Sequence, residues 1–252
     1  MQLVLMDAAP GALFVPAAVR ARFWVTLGTG QREERFWQAF WVAYCSGYAV
    51  AEEIRQTVED SEYLAHGNKL IKQAVMEDLP RAGLLVKEVV PFFGPVRLTL
   101  VRMSEEGVRL GREIGIGEPG RSEWTQIVEG HRGDEWQRHM VGLLAFAWQA
   151  RRRMYNPRLL PGRIGKVWPD VYLEKYQQSA YAEFETRARG KLWKWRRAKK
   201  SMQSFAVCTF KASQRRRIVA ECREVGAHVQ ATDLETLLRS DERSPLFVEC
   251  SL

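Results

Sequence analysis

The sequence has few cysteines and no long apolar run. Cys45, Cys208, Cys222 and Cys250 lie far apart without a CxxC pair, which argues against a disulfide framework and against a zinc ribbon. No apolar stretch reaches the ~18 residues that a membrane-spanning helix needs. The amino terminus also lacks the basic segment of a signal peptide. We therefore expect a soluble, cytoplasmic protein with reduced thiols and no membrane partner.

Acidic residues are the minority among the charged side chains. The 252 residues include 38 Lys and Arg against 30 Asp and Glu, which gives a formal net charge of +8. Hydrophobic residues make up 46% of the chain, as in an ordinary folded protein, so a disordered or collagen-like chain is excluded. The length allows one large domain or two small ones. The positive charge favours a polyanionic partner such as nucleic acid.

The first part of the chain has the element order of a DNA-binding module. After an irregular segment, 1–30, apolar periodicity predicts helices over 31–46, 50–58 and 62–79. Two β-rich runs, 83–90 and 96–101, flank a Pro- and Gly-containing turn, and Ser104 is placed to cap a further helix. Three helices followed by a hairpin, here within 31–115, are typical of a winged helix-turn-helix.

Two passages strengthen this interpretation: Leu79–Val86 and Arg97–Gly107 resemble the end of a recognition helix, the wing and the start of the next helix in winged-helix domains. The resemblance implies that helix 62–79 enters a major groove and that the loop 91–95 contacts the backbone. Winged helices also serve as protein-interaction modules, so that alternative stays open. The candidate DNA contacts are His66, Asn68, Lys69, Lys72 and Gln73.

The second part predicts an α/β domain. Connecting helices are expected over 116–163, with a Pro- and Gly-containing loop at 154–163. We interpret His131 and His139 in this segment as packing or surface residues rather than metal ligands. From 164 to 252, two strands are followed by alternating helices and strands, in the order ββαβαβ, before a closing helix. Ser213 is expected to cap the second of these helices, and Asp233 to be the N-cap or a first-turn residue of the closing helix. Such an order implies a sheet with right-handed crossovers. The predicted architecture is thus a winged helix-turn-helix followed by a small α/β domain.

Acidic residues on the first two strands of that domain suggest a nuclease-like site. Pro169-Asp170 followed by Glu183-Phe184-Glu185 resembles the PD…(D/E)xK pattern of restriction-endonuclease-like nucleases. There, Asp170 and Glu183 would hold a divalent metal such as Mg²⁺, and Glu185 would share a strand face with Glu183. The position of the lysine is occupied by Glu185. Lys191 or Lys194 could reach back from the following helix, although the pattern does not favour it, so an inactive core that requires no cofactor and a Mg²⁺-dependent nuclease both remain.

Positive charge is concentrated after these strands. From Thr186 to Arg223 there are thirteen Lys and Arg residues and one acid, Glu221, with Trp193 and Trp195 interleaved. Such a stretch neutralises phosphates without reading sequence. The candidate contacts are Arg187, Arg189, Lys191, Lys194, Arg196, Arg197, Lys199, Lys200, Arg215, Arg216 and Arg217.

The order of these features over residues 32–240 resembles the plasmid replication-relaxation family. Its members resemble winged helices fused to a nuclease-like domain that often lacks a full active site. The resemblance implies a non-enzymatic accessory factor of a plasmid, phage or integrated element that binds duplex DNA as a monomer or a homodimer, with Asp170, Glu183 and Glu185 as the remnant of the active site. A third alternative is an adaptor that docks on a larger nucleoprotein machine through an aromatic surface patch. Its tryptophans would be Trp37, Trp41, Trp124 and Trp136.

Overall fold

The computed structural model describes residues 15–27, 30–62, 64, 67–130, 137–187, 190–202 and 205–251. Within these ranges the chain is mixed α+β and divides into two compact units. Unit 1 comprises the described residues through Val90 together with Arg97–Thr125; unit 2 comprises Pro91–Val96 and the described residues from Gln126 onward. The predicted connecting segment 116–163 is therefore divided, since most of it groups with unit 2. No helix in the described ranges is both long and apolar enough to cross a bilayer.

Unit 1 is mainly helical. The predicted irregular segment 1–30 contains a helix, and the helix predicted over 62–79 begins only at Lys69, so both of these predictions are corrected. The elements are α1 (Ala17–Leu27), α2 (Gln31–Ser46), α3 (Ala51–Ser61), α4 (Lys69–Gln73), a π-helical turn (Ala74–Asp78), α5 (Leu79–Arg81), β1 (Leu85–Phe93), β2 (Val96–Met103) and α6 (Glu105–Glu113), and α7 (Glu123–Gly130) spans the boundary between the units.

The core of unit 1 is built on the aromatic face of α2. Phe36, Phe40 and Tyr44 recur at helical spacing and are fully buried, as the sequence periodicity predicts. Gly111 of α6 lies so close to the Tyr44 ring that a Cβ atom there would be 2.0 Å from a ring carbon. Glycine at this position therefore lets α6 approach α2 closely.

One residue before α3 pairs with the β1–β2 hairpin. Val50, just before α3, forms an isolated antiparallel bridge with Leu100 of β2, and the Val101 N–H donates to the Ala49 carbonyl at 2.8 Å. Ser104 caps α6, since its Oγ accepts from the Gly107 N–H at 2.9 Å, which confirms the predicted N-cap. The chain between α2 and α3 thus adds a minimal third strand to the hairpin.

Helix 69–81 contains a π-helical turn close to a proline. Pro80 has no N–H, so the carbonyl of Met76 loses its usual donor four residues later, and Lys87 Nζ donates to it instead at 2.6 Å. Arg32 binds the buried Asp78 carboxylate through two nitrogens, at 2.8 and 3.1 Å. These contacts fix the C-terminal half of the helix to α2 and β1.

Unit 2 is a six-stranded mixed sheet with helices. Its elements are α8 (Gln137–Arg152), β3 (Asn156–Leu159), β4 (Val171–Lys175), β5 (Gln178–Glu185), α9 (Leu192–Ser201), β6 (Phe205–Thr209), α10 (Ala212–Glu224), β7 (Val229–Asp233), α11 (Leu234–Arg239) and β8 (Glu249–Ser251). The spatial order is β3-β4-β5-β6-β7-β8. β5, β6 and β7 are parallel, and the other three pairings are antiparallel. The predicted alternation from β4 to β7 is confirmed.

The sequence did not indicate the two edge strands. β3 lies in a predicted loop, 154–163, and includes Pro157, which an edge strand tolerates because one side of its backbone needs no ladder bond. β8 has three residues, too few to show a period-two pattern. Of the two N-caps predicted in unit 2, one is wrong and one is confirmed. The N-cap of α10 is Lys211 rather than Ser213, whereas Asp233 is the N-cap of α11.

Candidate nucleic-acid interface and acid–lysine cluster

Three carboxylates meet where β4 begins and β5 ends. The antiparallel register pairs Val171 with Ala182, so Asp170, which precedes β4, lies next to Glu183. Glu183 and Glu185 alternate with the buried Phe184 along β5 and share one face of the strand. All three carboxylates are buried. The structure thus brings together the acidic residues that the sequence predicts.

Two lysines from α9 pair with these carboxylates. Lys194 Nζ donates to Glu183 Oε2 at 2.9 Å and also contacts Glu185 Oε1, and Lys191 Nζ contacts Glu185 Oε2. α9 starts shortly after β5 ends, so its first turn returns over the carboxylates. The positive charge that is missing from the strand pattern is therefore supplied by the helix, contrary to the expectation that the lysines would not reach. We call Asp170, Glu183, Glu185, Lys191 and Lys194 the acid–lysine cluster.

Asp170 is held in place from two sides. Its Oδ2 accepts from the Phe184 N–H at 2.8 Å, and its Oδ1 lies 3.3 Å from His139 Nε2 of α8. Burial opposes ionisation of Asp170, but the hydrogen bond and charge of His139, with Lys194 and the Phe184 N–H, outweigh it and lower its pKa. The sequence does not reveal this contact of His139, because nothing in its spacing relates α8 to β4.

Glu183 has the most unusual environment in the cluster. Burial raises its pKa from 4.5 to about 8, since Lys194 opposes this effect only in part and the charges of Asp170 and Glu185 add to it. Burial would lower the pKa of Lys194, but the carboxylates Glu183, Glu185 and Asp170 outweigh it and raise that pKa. Glu183 Oε1 is buried without a hydrogen-bond partner.

The predicted metal pair, Asp170 and Glu183, does not form a metal site in this arrangement. Among the described residues, no group of three or more His, Cys, Asp or Glu side chains is placed to hold a metal ion. Both oxygens of Asp170 already have partners, and Glu183 offers one unpartnered oxygen while Lys194 occupies the other. The donor set therefore does not fit Mg²⁺, which prefers six oxygen ligands in near-octahedral geometry.

The predicted basic contacts differ in how far they are exposed to solvent and in whether they form ion pairs with buried acids. Lys191 and Lys194 pair within the acid–lysine cluster, and Arg215 pairs with Asp233 and Glu249, so these three are not presented to a ligand. Trp195 is buried and stacks on Phe205, unlike Trp193. Arg189 lies outside the described residues. The remaining candidates are exposed: Arg187, Arg196, Arg197, Lys199, Lys200, Arg216 and Arg217.

The candidate contacts in unit 1 have different environments. Lys69 and Lys72 on α4 are exposed, and Gln73 is half-buried. Asn68 is the N-cap of α4, where its Oδ1 accepts from the Leu70 N–H at 3.0 Å, so its side chain has a structural role. His66 lies outside the described residues.

The tryptophans of the adaptor hypothesis do not form an exposed patch in the part of the chain that the structure describes. Trp37 is buried in the core of unit 1, and Trp41 and Trp124 are half-buried. Trp136 lies outside the described residues.

No family model, curated protein or solved structure matches the chain.

Proposed function

We propose that this protein binds DNA without cutting it, with unit 1 as the module that contacts duplex DNA. The observation that supports this most is the order of α2, α3 and helix 69–81 before the β1–β2 hairpin, together with the bridge between Val50 and Leu100. This is the element order of a winged helix-turn-helix, whose third helix enters the major groove. On this proposal Lys69 and Lys72, both exposed, face the DNA.

Exposed cations of unit 2 supply backbone affinity on the same proposal. Arg196, Arg197, Lys199 and Lys200 are exposed on α9, which contains no acidic residue. Each cation that neutralises a phosphate releases counterions, so binding becomes steeply salt-dependent and insensitive to sequence. The sheet of unit 2, on this proposal, is a nuclease-like fold with an inactive site. The further assignment to a plasmid, phage or integrated element, as an accessory of replication, transfer or regulation, rests on the family resemblance alone.

Fluorescence anisotropy with labelled duplex DNA over a salt series tests this proposal. Joint replacement of Arg196, Arg197, Lys199 and Lys200 by alanine should weaken binding to all duplexes and flatten the slope of log K against log salt. The expected change is about 0.9 per lost phosphate contact. A matched control removes four exposed arginines elsewhere and should leave the slope nearly unchanged: Arg109, Arg158, Arg239 and Arg243.

The contribution of unit 1 is tested with duplexes of different sequence. Replacement of Lys69, Lys72 and Gln73 by alanine should change the preference among sequences, since base edges are read from the recognition helix. An equal loss of affinity for every sequence would contradict this division of labour. No measurable binding to duplex DNA by the intact chain would overturn the proposed function.

A Mg²⁺-dependent nuclease is the second candidate. It requires the acid–lysine cluster to rearrange, since the donor set as folded does not fit Mg²⁺, but one observation favours it. Lys194 places an ammonium group beside Glu183 and Glu185, as the PD…(D/E)xK pattern requires of its lysine. The test is incubation of labelled duplex and single-stranded DNA with Mg²⁺ or Mn²⁺. Cleavage that Asp170→Asn abolishes and the exposed-site control Asp241→Asn preserves would establish the nuclease. Absence of cleavage with both metals would exclude it and favour the non-enzymatic proposal.

A further inference from the structure

Two tryptophans of unit 2 are exposed beside the acid–lysine cluster. The exposed fraction is 68% for Trp168 and 59% for Trp193, whereas Trp195, two residues further along α9, is fully buried. Tryptophan has more apolar area to bury than most side chains, so burial of its ring against a ligand contributes a large favourable free energy. Two such rings near one site point to a ligand with flat apolar faces.

The segment that carries Trp168 runs beside the helix that carries Trp193. Trp168 precedes Asp170 by two residues, and Trp193 immediately precedes Lys194. The segment that leads to Trp168 runs against α9: the Lys166 N–H donates to Ser201 Oγ at 3.4 Å, and Val167 belongs to the same buried cluster as Ala198 and Met202. Asp170 then interacts with Lys194 near the start of α9. The chain from 166 to 170 therefore follows α9 in the opposite direction, with Trp168 between these two contacts.

Positive charge lies beside Trp193 and along α9. The Arg197 guanidinium lies 5.4 Å from the centroid of the Trp193 ring, and Arg196, Lys199 and Lys200 are exposed on the same helix. Cations beside aromatic rings match a ligand that alternates phosphates with aromatic bases. In a continuous duplex the base faces are hidden by stacking, so only unpaired bases present a face to a tryptophan ring.

We propose that Trp168, Trp193, Arg196, Arg197, Lys199 and Lys200 form a surface that binds single-stranded DNA, with unpaired bases stacked on the two tryptophans. We call it the tryptophan surface. It deepens the proposed function, on which it rests: the cations of unit 2 contact the phosphates of either form of DNA, and the two tryptophans add a preference for unpaired strands.

The test compares affinities for a labelled single-stranded DNA oligonucleotide, the blunt duplex of the same sequence and the matching single-stranded RNA. Trp168→Ala and Trp193→Ala should each lower single-strand affinity about tenfold, because stacking contributes ~1–3 kcal/mol per base and 1.4 kcal/mol corresponds to a factor of ten. The double variant should lose more, while duplex affinity changes less than about threefold. The pair Trp168→Phe and Trp193→Phe should restore most of the single-strand binding.

Tyr176 provides the matched control. It is 86% exposed but lies at the β4–β5 turn, at the other end of these strands from Asp170. Its φ of 53° is one that asparagine tolerates, so Tyr176→Asn removes an exposed ring without new backbone strain. This variant should bind single-stranded DNA as the parent does.

Three results would overturn the tryptophan surface: unchanged single-strand affinity in the double alanine variant, an equal loss for single strand and duplex, or tighter binding of the RNA than of the DNA. Circular dichroism on each variant separates these outcomes from misfolding. Failure of the proposed function gives a different result: the intact chain would bind no duplex DNA, whereas its affinity for single-stranded DNA is measured separately.

Discussion

Glu183 is the residue whose charge depends most on its surroundings. Its pKa is raised to about 8, so the folded protein binds a proton there that the unfolded chain has released above about pH 4.5. The stability that this proton contributes is complete below pH 4.5 and is lost as the pH rises through about 8. Asp170, Glu185, Lys194 and, through Asp170, His139 face this carboxyl.

The stability of the parent relative to Glu183→Gln should therefore fall as the pH rises. We expect a decrease of up to ~1.4 kcal/mol per pH unit between pH 5 and 8. Urea unfolding of both proteins at several pH values measures it. Glu224→Gln, which removes an exposed carboxyl from α10, controls for the loss of one acid. A difference between parent and Glu183→Gln that stays constant over this range would show that Glu183 is ionised throughout.

Lys194 should matter more for stability than Lys191. Replacing Lys194 by methionine removes a cationic partner of the buried Glu185 and the hydrogen-bond donor of Glu183, and removal of one partner from a buried ion pair costs ~3–5 kcal/mol. Lys191→Met should cost about 1 kcal/mol, since Lys194 still contacts Glu185. Chemical denaturation measures both values. The triple variant Glu183→Gln, Glu185→Gln and Lys194→Met should recover most of the loss; if it is no more stable than Lys194→Met, the cost lies in packing rather than in charge.

The sequence predicts only those residues of the candidate site that lie on or next to the two paired strands. Asp170 and Glu183 follow from their spacing and from the antiparallel pairing that the spacing implies. Lys194 could not be assigned with them, because a lysine side chain reaches several ångströms and the sequence does not fix where α9 starts relative to β5. His139 is harder still to predict from the sequence, since its contact with Asp170 depends on how α8 packs against the sheet.

At the scale of elements, the N-terminus of helix 69–81 is stabilised by a side chain that sequence analysis assigned to DNA. Asn68 Oδ1 accepts from the backbone N–H groups of Leu70 and Ile71, and the Asn68 N–H donates to the buried Glu59 at 2.8 Å. We expect Asn68→Ala to lower the free energy of unfolding by about 1 kcal/mol, and Asn68→Asp to preserve it, since both Asn and Asp are good N-caps. Thermal unfolding of the two variants provides the measurement. Equal loss in both would contradict the capping role.

Elements with strong local signals were predictable, and those defined by tertiary pairing were not. Neighbouring residues alone predict the helical periodicity of α2 and the turn between β1 and β2. The same is true of the N-caps Ser104 and Asp233. The bridge from Val50 to Leu100 joins single residues far apart in sequence, so no local pattern predicts it. Likewise, the donor to the Met76 carbonyl in the π-helical turn is Lys87 of another element, and no local pattern predicts that contact.

At the scale of the whole molecule, the two proposed binding surfaces lie in different units of one chain. The net charge of +8 favours association with any DNA, but it does not distinguish one surface from two. If unit 1 binds duplex and the tryptophan surface binds single strand, a duplex with a single-stranded tail engages both. The second contact then forms at an effective concentration that reaches the millimolar range for short connections.

We therefore expect a tailed duplex to bind roughly 10- to 100-fold more tightly than either the blunt duplex or the free single strand. The gain should rise once the tail is long enough to reach the tryptophan surface and should vanish in the variant that combines Trp168→Ala with Trp193→Ala. It should also be smaller when Lys69 and Lys72 are replaced by alanine, because unit 1 then binds its preferred duplex less tightly. Anisotropy titrations with a series of tail lengths measure this dependence. An affinity equal to that of the better separate ligand at every tail length would show that the two units do not engage one DNA molecule together.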